Sequence, residues 1–341
     1  MNTLLLDALH CKNLSRPPIW VMRQAGRYMV DYRALRAKYS FLEMVHNPEL
    51  AAQVTLLPVK QLGVDAAILF SDILVLLEPM GLKLRFDEGT GPHIENPLKN
   101  AKCLERLHDP DISHSLSYVG QAIQAVLPEL NIPLLGFSGA PFTLASYMIE
   151  GKSSRDLRKT KQWMFEDPDS FHLLLNIIAN HTIKYLTLQV EAGAQALQIF
   201  DSWANYLGHA QFREFSLAYL KMIVDAMRPK GVPIILFCRG SSVFGPELAS
   251  VQPAGISLDW NCNIAAMQSK IPSGIAVQGN LDPDVLYAPQ HVIKKEVLGL
   301  LDSMRGNPGY IFNLGHGVLP DIPFDNVKFL VDTVKCYKST L

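Results

Sequence analysis

The sequence predicts a single (β/α)8 TIM barrel spanning residues 1–341, and three observations carry that expectation. Eight short apolar runs recur along the chain. Helix-patterned stretches separate them. The unusual polar and glycine-rich segments fall just past the ends of the runs. The runs are residues 19–22, 66–70, 133–137, 196–200, 233–237, 255–258, 275–278 and 310–313. Each is short, partly β-branched or aromatic, and nearly continuous in its apolar character. Parallel strands covered on both faces look like that.

The helical stretches follow in order. Residues 48–62 come first, with Asn47 suited to the N-cap and Pro48 to the first turn. Residues 117–130 precede the third run, and 142–151 form a short helix after it. Residues 168–192 place Leu174, Ile177, Ile178, Tyr185 and Leu188 on roughly one helical face. Residues 211–227, 284–301 and 325–338 complete the alternation, which is the pattern of a barrel. An open doubly wound sheet is the competing architecture. A dinucleotide-binding version of it calls for GxGxxG after the first strand, and Arg23-Gln24-Ala25-Gly26-Arg27 is not that.

Composition narrows the function classes. The chain has 341 residues, 48% of them hydrophobic, enough for a large core. Charged residues make up 18% and the formal net charge is −1, so no basic excess points to nucleic acid. Cys11, Cys103, Cys238, Cys262 and Cys336 are scattered and form no CxxC pair. That suits free thiols in a reducing compartment. The first residues carry neither a basic stretch nor a long apolar core, unlike a secretory signal. The most apolar region, 65–77, is interrupted by Asp65 and Asp72 and is too short to span a bilayer. The expectation is a soluble, cytosolic protein with no membrane or nucleic-acid partner.

In a barrel, the site lies at the C-terminal ends of the strands. Past the first run stand Arg23 and Arg27. If residues 24–27 begin a helical turn, both arginines project to one side. Their planar forks bind carboxylates bidentately and stay protonated. An isolated pair of this kind reads more readily as two surface ion pairs. Directly after the first strand it reads as an anion clamp. Asp72 follows the second run and precedes Ile73-Leu74-Val75-Leu76-Leu77. An ionised carboxylate there needs donors. It suits substrate N–H groups or a developing cation, and equally a helix cap or structural ion pair.

His316 lies in Leu314-Gly315-His316-Gly317, after the last run. It can bond carboxylates or exchange protons near neutral pH, although a lone loop histidine more often bonds backbone. Tyr147 and Ser202 each offer a hydroxyl, and each taken alone is a structural residue. Ser202 lies in no GxSxG elbow. No HExxH, CxxC, DxDxDG or GxxxxGK[ST] pattern occurs, and no lysine stands at a strand end for Schiff-base chemistry. Cys238 lacks a histidine two residues earlier, where Leu236 stands.

These segments together resemble the uroporphyrinogen decarboxylase family. The matching stretches are Pro18-Ile19-Trp20-Val21-Met22-Arg23-Gln24-Ala25-Gly26-Arg27-Tyr28, Phe70-Ser71-Asp72-Ile73-Leu74, Gly139-Ala140-Pro141-Phe142-Thr143 with Tyr147-Met148-Ile149-Glu150-Gly151, Phe200-Asp201-Ser202-Trp203, Gln278-Gly279-Asn280-Leu281-Asp282-Pro283, and Asn313-Leu314-Gly315-His316-Gly317. They cover essentially the whole chain. The resemblance implies a homodimeric barrel that converts the four acetate side chains of uroporphyrinogen III to methyls. The products would be coproporphyrinogen III and CO2, in haem biosynthesis, with neither metal nor organic cofactor.

By motif position, the resemblance makes Asp72, Arg23 and Arg27 catalytic. It assigns substrate binding to these three and to Gln24, Ala25, Gly26, Tyr147, Ser202 and His316, with Phe137 and Phe200 as apolar wall. Arg239 stands where the family usually has lysine, and Ser241-Ser242 where glycine is common. Asn205 is also unusual. Two rivals remain. One is a zinc-dependent methyltransferase of the same superfamily, which Leu236 disfavours. The other is a non-catalytic tetrapyrrole carrier, which Asp72 disfavours, because a carboxylate gains a pure binder of anions little.

Overall fold

Seven of the eight apolar runs become strands of one parallel sheet. In chain order the strands are β1 (Ala67–Ile68), a hairpin of β2 (Leu84–Asp87) and β3 (Gly91–Ile94), then β4 (Leu134–Gly139), β5 (Ala196–Asp201), β6 (Ile234–Cys238), β7 (Gly255–Ser257), β8 (Ala276–Leu281) and β9 (Tyr310–Leu314). The large sheet runs β1-β4-β5-β6-β7-β8-β9, and the hairpin stands apart as a two-stranded antiparallel sheet. The computed structural model describes residues 2–87 and 91–338, with only the backbone described for Asp87, Ser241 and Ser242.

The first expected strand, 19–22, is an irregular stave. Only Ile19 forms a bridge, parallel to Phe312. Pro17 and Pro18 lack the N–H groups a ladder needs, so other groups do the pairing. The Phe312 N–H donates to Pro18 O at 2.9 Å, and the Asp65 N–H donates to Ile19 O at 2.7 Å. Side chains supply the rest: the Ile19 N–H donates to Asp65 Oδ2 at 2.9 Å and the Met22 N–H to Asn313 Oδ1 at 3.1 Å. The stave thus joins the last strand to the first and closes the barrel.

The helices form where caps and periodicity place them. Helix Pro48–Leu62 begins with Asn47 Oδ1 accepting the Glu49 and Leu50 N–H groups, and it ends at Gly63 with φ 73°. Helix Pro168–Ala192 matches its expected bounds and ends at Gly193 with φ 115°. Three expected helices are broken. Residues 117–130 give helix Ser117–Val126 and then a tight 3-10 turn, Leu127–Glu129, at Pro128. Residues 211–227 pass through a π turn, Arg213–Leu217. Pro289 splits 284–301 into the turn Pro283–Tyr287 and helix Gln290–Ser303. Proline ends a helix because it lacks the N–H and crowds the preceding turn.

Side chains two apart on a strand face the same way, and this layers the lumen. Ala196, Gln198 and Phe200 climb β5 from floor to mouth. The floor is apolar: Leu5, Ala8 and Leu9 of helix Leu4–Leu9 pack with Trp20, Leu135, Ala196, Ile235, Ala276 and Ile311. Above it lies a polar belt. The Trp20 Nε1–H donates to Gln278 Oε1 at 2.9 Å, and Gln278 Nε2 donates to Gln198 Oε1 at 3.0 Å and Ser257 Oγ at 2.9 Å. The next layer up opens into a cavity.

Candidate active site

The cavity at the C-terminal ends of the strands has a volume of about 1040 Å³. That is the upper end of ordinary ligand pockets. It is lined by Arg23, Gln24, Ala25, Gly26 and Arg27 from the stave turn, and by Asp72, Tyr147, Ser202 and His316 from other strand ends. Phe137 and Phe200 also line it. The structure therefore brings every sequence-selected residue to one place.

The arginine turn differs from the expected helical turn. Arg23 has φ 59°, in the left-handed region, and no helix begins before Val30. The turn is held by side chains instead. Gln24 is 1% exposed; its Nε2 donates to Ala66 O at 3.2 Å, and its own carbonyl accepts the Tyr28 hydroxyl at 2.5 Å. Gln24 thus spends its side chain on the fold, and what is left to face the cavity there is backbone. Both arginines are exposed into the cavity, and among the described residues neither forms an ion pair. Arg23 runs along the backbone of Gly317: a Cβ there would lie 2.4 Å from Arg23 Cδ. Only glycine leaves that path open.

Asp72 lies past β1. Its Oδ1 accepts the Leu74 N–H at 2.8 Å, a local turn bond; the cap position of the following turn Val75–Leu77 belongs to Leu74, so Asp72 is not a helix cap. Enclosure pushes its carboxyl up to about 6, while the Leu74 N–H and Arg23 pull it back and Glu78 adds to the rise. His316 moves the other way. Burial, and then Arg23 and Arg239, push its imidazole down to about 4. Its Nδ1 accepts the Gly317 N–H at 2.6 Å, so the neutral ring carries its proton on Nε2. With the imidazole held that low, the ring is neutral near pH 7 and its Nε2–H is left free to donate.

Aromatic rings make the wall. Phe137 meets Phe200 at 5.7 Å and 90°, Phe200 meets Phe237 at 5.7 Å, and Phe237 meets His316 at 5.8 Å. Tyr147 packs edge-on to Trp203 at 5.6 Å. Burial raises the Tyr147 hydroxyl above its usual range.

Sequence reasoning gave Asp201 no role. It is fully buried and accepts Thr143 Oγ1 at 2.6 Å and Ser216 Oγ at 2.5 Å. Thr143 Oγ1 in turn accepts the Trp203 N–H at 3.1 Å. Asp201 thus ties the loop carrying Ser202 to helix Pro141–Glu150, which carries Tyr147. Burial pushes its carboxyl up to about 6. Arg33 and Arg36 of helix Val30–Arg36 also line the cavity and were missed. The available clue was that Arg33 and Arg36 are three apart, a spacing that puts both on one side of a helix.

The loop after β6 turns at a glycine. Gly240 has φ 78°, its N–H donates to Asp259 Oδ2 at 2.7 Å, and helix Ser241–Ser250 begins directly after it. The side chains of Ser241 and Ser242 lie outside the described residues. Leu236 and Cys238 alternate with the cavity-lining Phe237 and so face the helical layer. Among the described residues, no group of three His, Cys, Asp or Glu side chains is placed to hold a metal ion.

A family described as uroporphyrinogen decarboxylase (URO-D) matches residues 1–337. The chain belongs to the uroporphyrinogen decarboxylase family. A relative of that name from Protochlamydia amoebophila is 57% identical over 98% of this chain and 92% of its own. Another from Trichlorobacter lovleyi is 47% identical over 98% of each. A solved methyltransferase from Methanosarcina mazei superposes with a TM-score of 0.83 over 98% of each chain, at 23% identity. That likeness concerns the fold, a single barrel shared from end to end.

Proposed function

We propose that this cavity holds uroporphyrinogen with its pyrrole N–H groups toward Asp72 and its carboxylates toward Arg23, Arg27 and His316. The chain is a carboxy-lyase of haem biosynthesis: it converts the four acetate side chains of uroporphyrinogen III to methyls and releases CO2. The observation that supports the site is the convergence of a half-buried carboxylate, unpaired arginines and an aromatic wall in one cavity. A tetrapyrrole with carboxylates around its edge needs cations at the rim and apolar faces inside.

The chemistry follows from these groups. Losing CO2 leaves an electron pair that needs a sink, and a protonated pyrrole provides one. Asp72 as carboxylate accepts the pyrrole N–H groups and favours the cationic ring, in a site where charge interactions are strong because water is largely excluded. Arg23 and Arg27 grip acetate and propionate groups. Tyr147, Ser202 and neutral His316 donate hydrogen bonds, and Phe137 and Phe200 bound the macrocycle.

Purified protein is expected to release CO2 from uroporphyrinogen and form coproporphyrinogen without added cofactor. Tight binding with no CO2 would make it a carrier. Stoichiometric zinc held through Cys238 would revive the methyltransferase reading. The proposal includes a homodimer, tested by sedimentation, and a cytoplasmic location, tested by fractionation. Among the described residues, no helix is long and apolar enough to cross a membrane.

A further inference from the structure

The two clamp arginines are steered differently. Arg23 runs along the Gly317 backbone, so contacts of its own side chain fix its path. The Arg27 guanidinium makes no hydrogen bond or ion pair among the described residues. Only its backbone sets the direction in which it leaves the turn. Around it the turn's carbonyls are held by near neighbours or by the last strand's loop: Gln24 O accepts the Tyr28 hydroxyl at 2.5 Å, Gly26 O the Met29 N–H at 2.9 Å, and Met22 O the Val318 N–H at 2.9 Å. Arg27 O precedes helix Val30–Arg36, and no backbone N–H among the described residues reaches it. It accepts Arg33 Nη1 instead, at 2.8 Å. The helix is a firm mount for that side chain. Tyr32 is 6% exposed and sets its ring edge-on to Phe70 at 5.9 Å. Asp31 Oδ2 accepts Gln61 Nε2 at 2.5 Å, which ties the helix to Pro48–Leu62.

We propose that Arg33 is a positioning residue for the clamp: it holds the Arg27 carbonyl and thereby aims the Arg27 guanidinium at a substrate carboxylate. The inference rests on the decarboxylase reading. The peptide group is planar, so fixing its oxygen fixes the plane that leaves the Arg27 Cα. The direction of the Cα–Cβ bond follows from that plane. A long arginine side chain already pays rotamer entropy when it grips a ligand, and a loose Cα beneath it would add to that cost. Arginine suits the holding task because it stays protonated, and a charged donor bonds a carbonyl more strongly than a neutral one. The bond also brings no carboxylate to the turn. Arg27 therefore keeps its full charge for the substrate.

The test is a double-mutant cycle on the full-length chain with uroporphyrinogen. KM, kcat and melting temperature are measured for wild type, Arg33→Ala, Arg27→Ala and the double variant. Arg33→Ala is expected to raise KM about three- to fivefold, the scale of one ordinary hydrogen bond, with kcat and melting temperature kept. In the Arg27→Ala background the same change is expected to add nothing, because no guanidinium is left to aim. An equal rise in KM in both backgrounds overturns the inference, since Arg33 would then act on the substrate without Arg27. An unchanged KM in Arg33→Ala overturns it too, and a fall in melting temperature alone would make Arg33 a structural residue. All of these outcomes leave decarboxylation standing. Wild type that releases no CO2 overturns the decarboxylase reading and this inference with it.

Discussion

At the lower end of the barrel, Arg16 places Nη1 on Asp65 Oδ2 at 2.6 Å and Nη2 on Asp65 Oδ1 at 2.8 Å. At the upper end, Arg23 and Arg27 find no carboxylate among the described residues. All three belong to one short stretch around the closing stave. Asp65 is 2% exposed and also accepts the Ile19 N–H and Asn2 Nδ2, so it is fully engaged. Asp72, its counterpart above, spends one oxygen on Leu74 and keeps the other for the cavity. A neutralised fork holds a fold together, whereas a fork left open is held for a ligand. The same contrast runs through the lumen, from the apolar plug of helix Leu4–Leu9 up to the open aromatic wall.

The sharpest way to break this contrast is Asp72→Asn. Turnover is expected to fall about 10²–10³-fold, the range for losing one preorganised electrostatic group, with substrate affinity largely kept. Full turnover would end the electrostatic account of Asp72. The mirror experiment is Arg16→Ala, which leaves Asp65 buried without its cation. Stability is expected to drop by ~3 kcal/mol, read from the denaturant midpoint, with activity per folded molecule intact. Arg27→Ala is expected to do the reverse. It should weaken binding by roughly 1.5–3 kcal/mol, seen as a raised KM, and leave the melting temperature in place.

Two smaller effects sharpen the comparison. Gly317→Ala puts a methyl in the path of Arg23. The arginine moves aside, so folding changes little, while misplacement of the clamp is expected to cost about tenfold in kcat/KM. The last effect is on pH. The Asp72 carboxyl titrates near 6 when folded, and near 4 in the unfolded chain. Between those values the folded state binds more protons, so stability falls as pH rises through the window. Asp72→Asn removes that fall at one site, while Asp201 retains its own. The variant is expected to be more stable than wild type at pH 7, by on the order of 1 kcal/mol given partial exposure. The gain should vanish towards pH 4. A gain independent of pH would mean that packing, not ionisation, sets the cost of Asp72.

The sheet was legible because buried parallel strands leave continuous apolar runs, and helices 48–62 and 168–192 because caps mark their ends. The cavity residues were legible because a barrel gathers its strand ends, and because their motifs resemble one family. Other features left weaker traces. The stave 19–22 reads as a strand, yet Pro17, Pro18 and the Asp65 side chain make its pairing irregular. The left-handed backbone at Arg23 leaves no mark in local periodicity. The hairpin β2–β3, which sets Phe86, Gly91 and Pro92 at the cavity, is too polar to read as a buried strand.

The irregular stave also has a consequence for how the molecule is made. Met22 is tied to Asn313, 291 positions later in the chain. Contacts so far apart close late, because the loop between them must first be ordered. The arginine turn is therefore set only once β9 has docked against the stave, so the geometry of the clamp reports closure of the whole barrel rather than the folding of any local element.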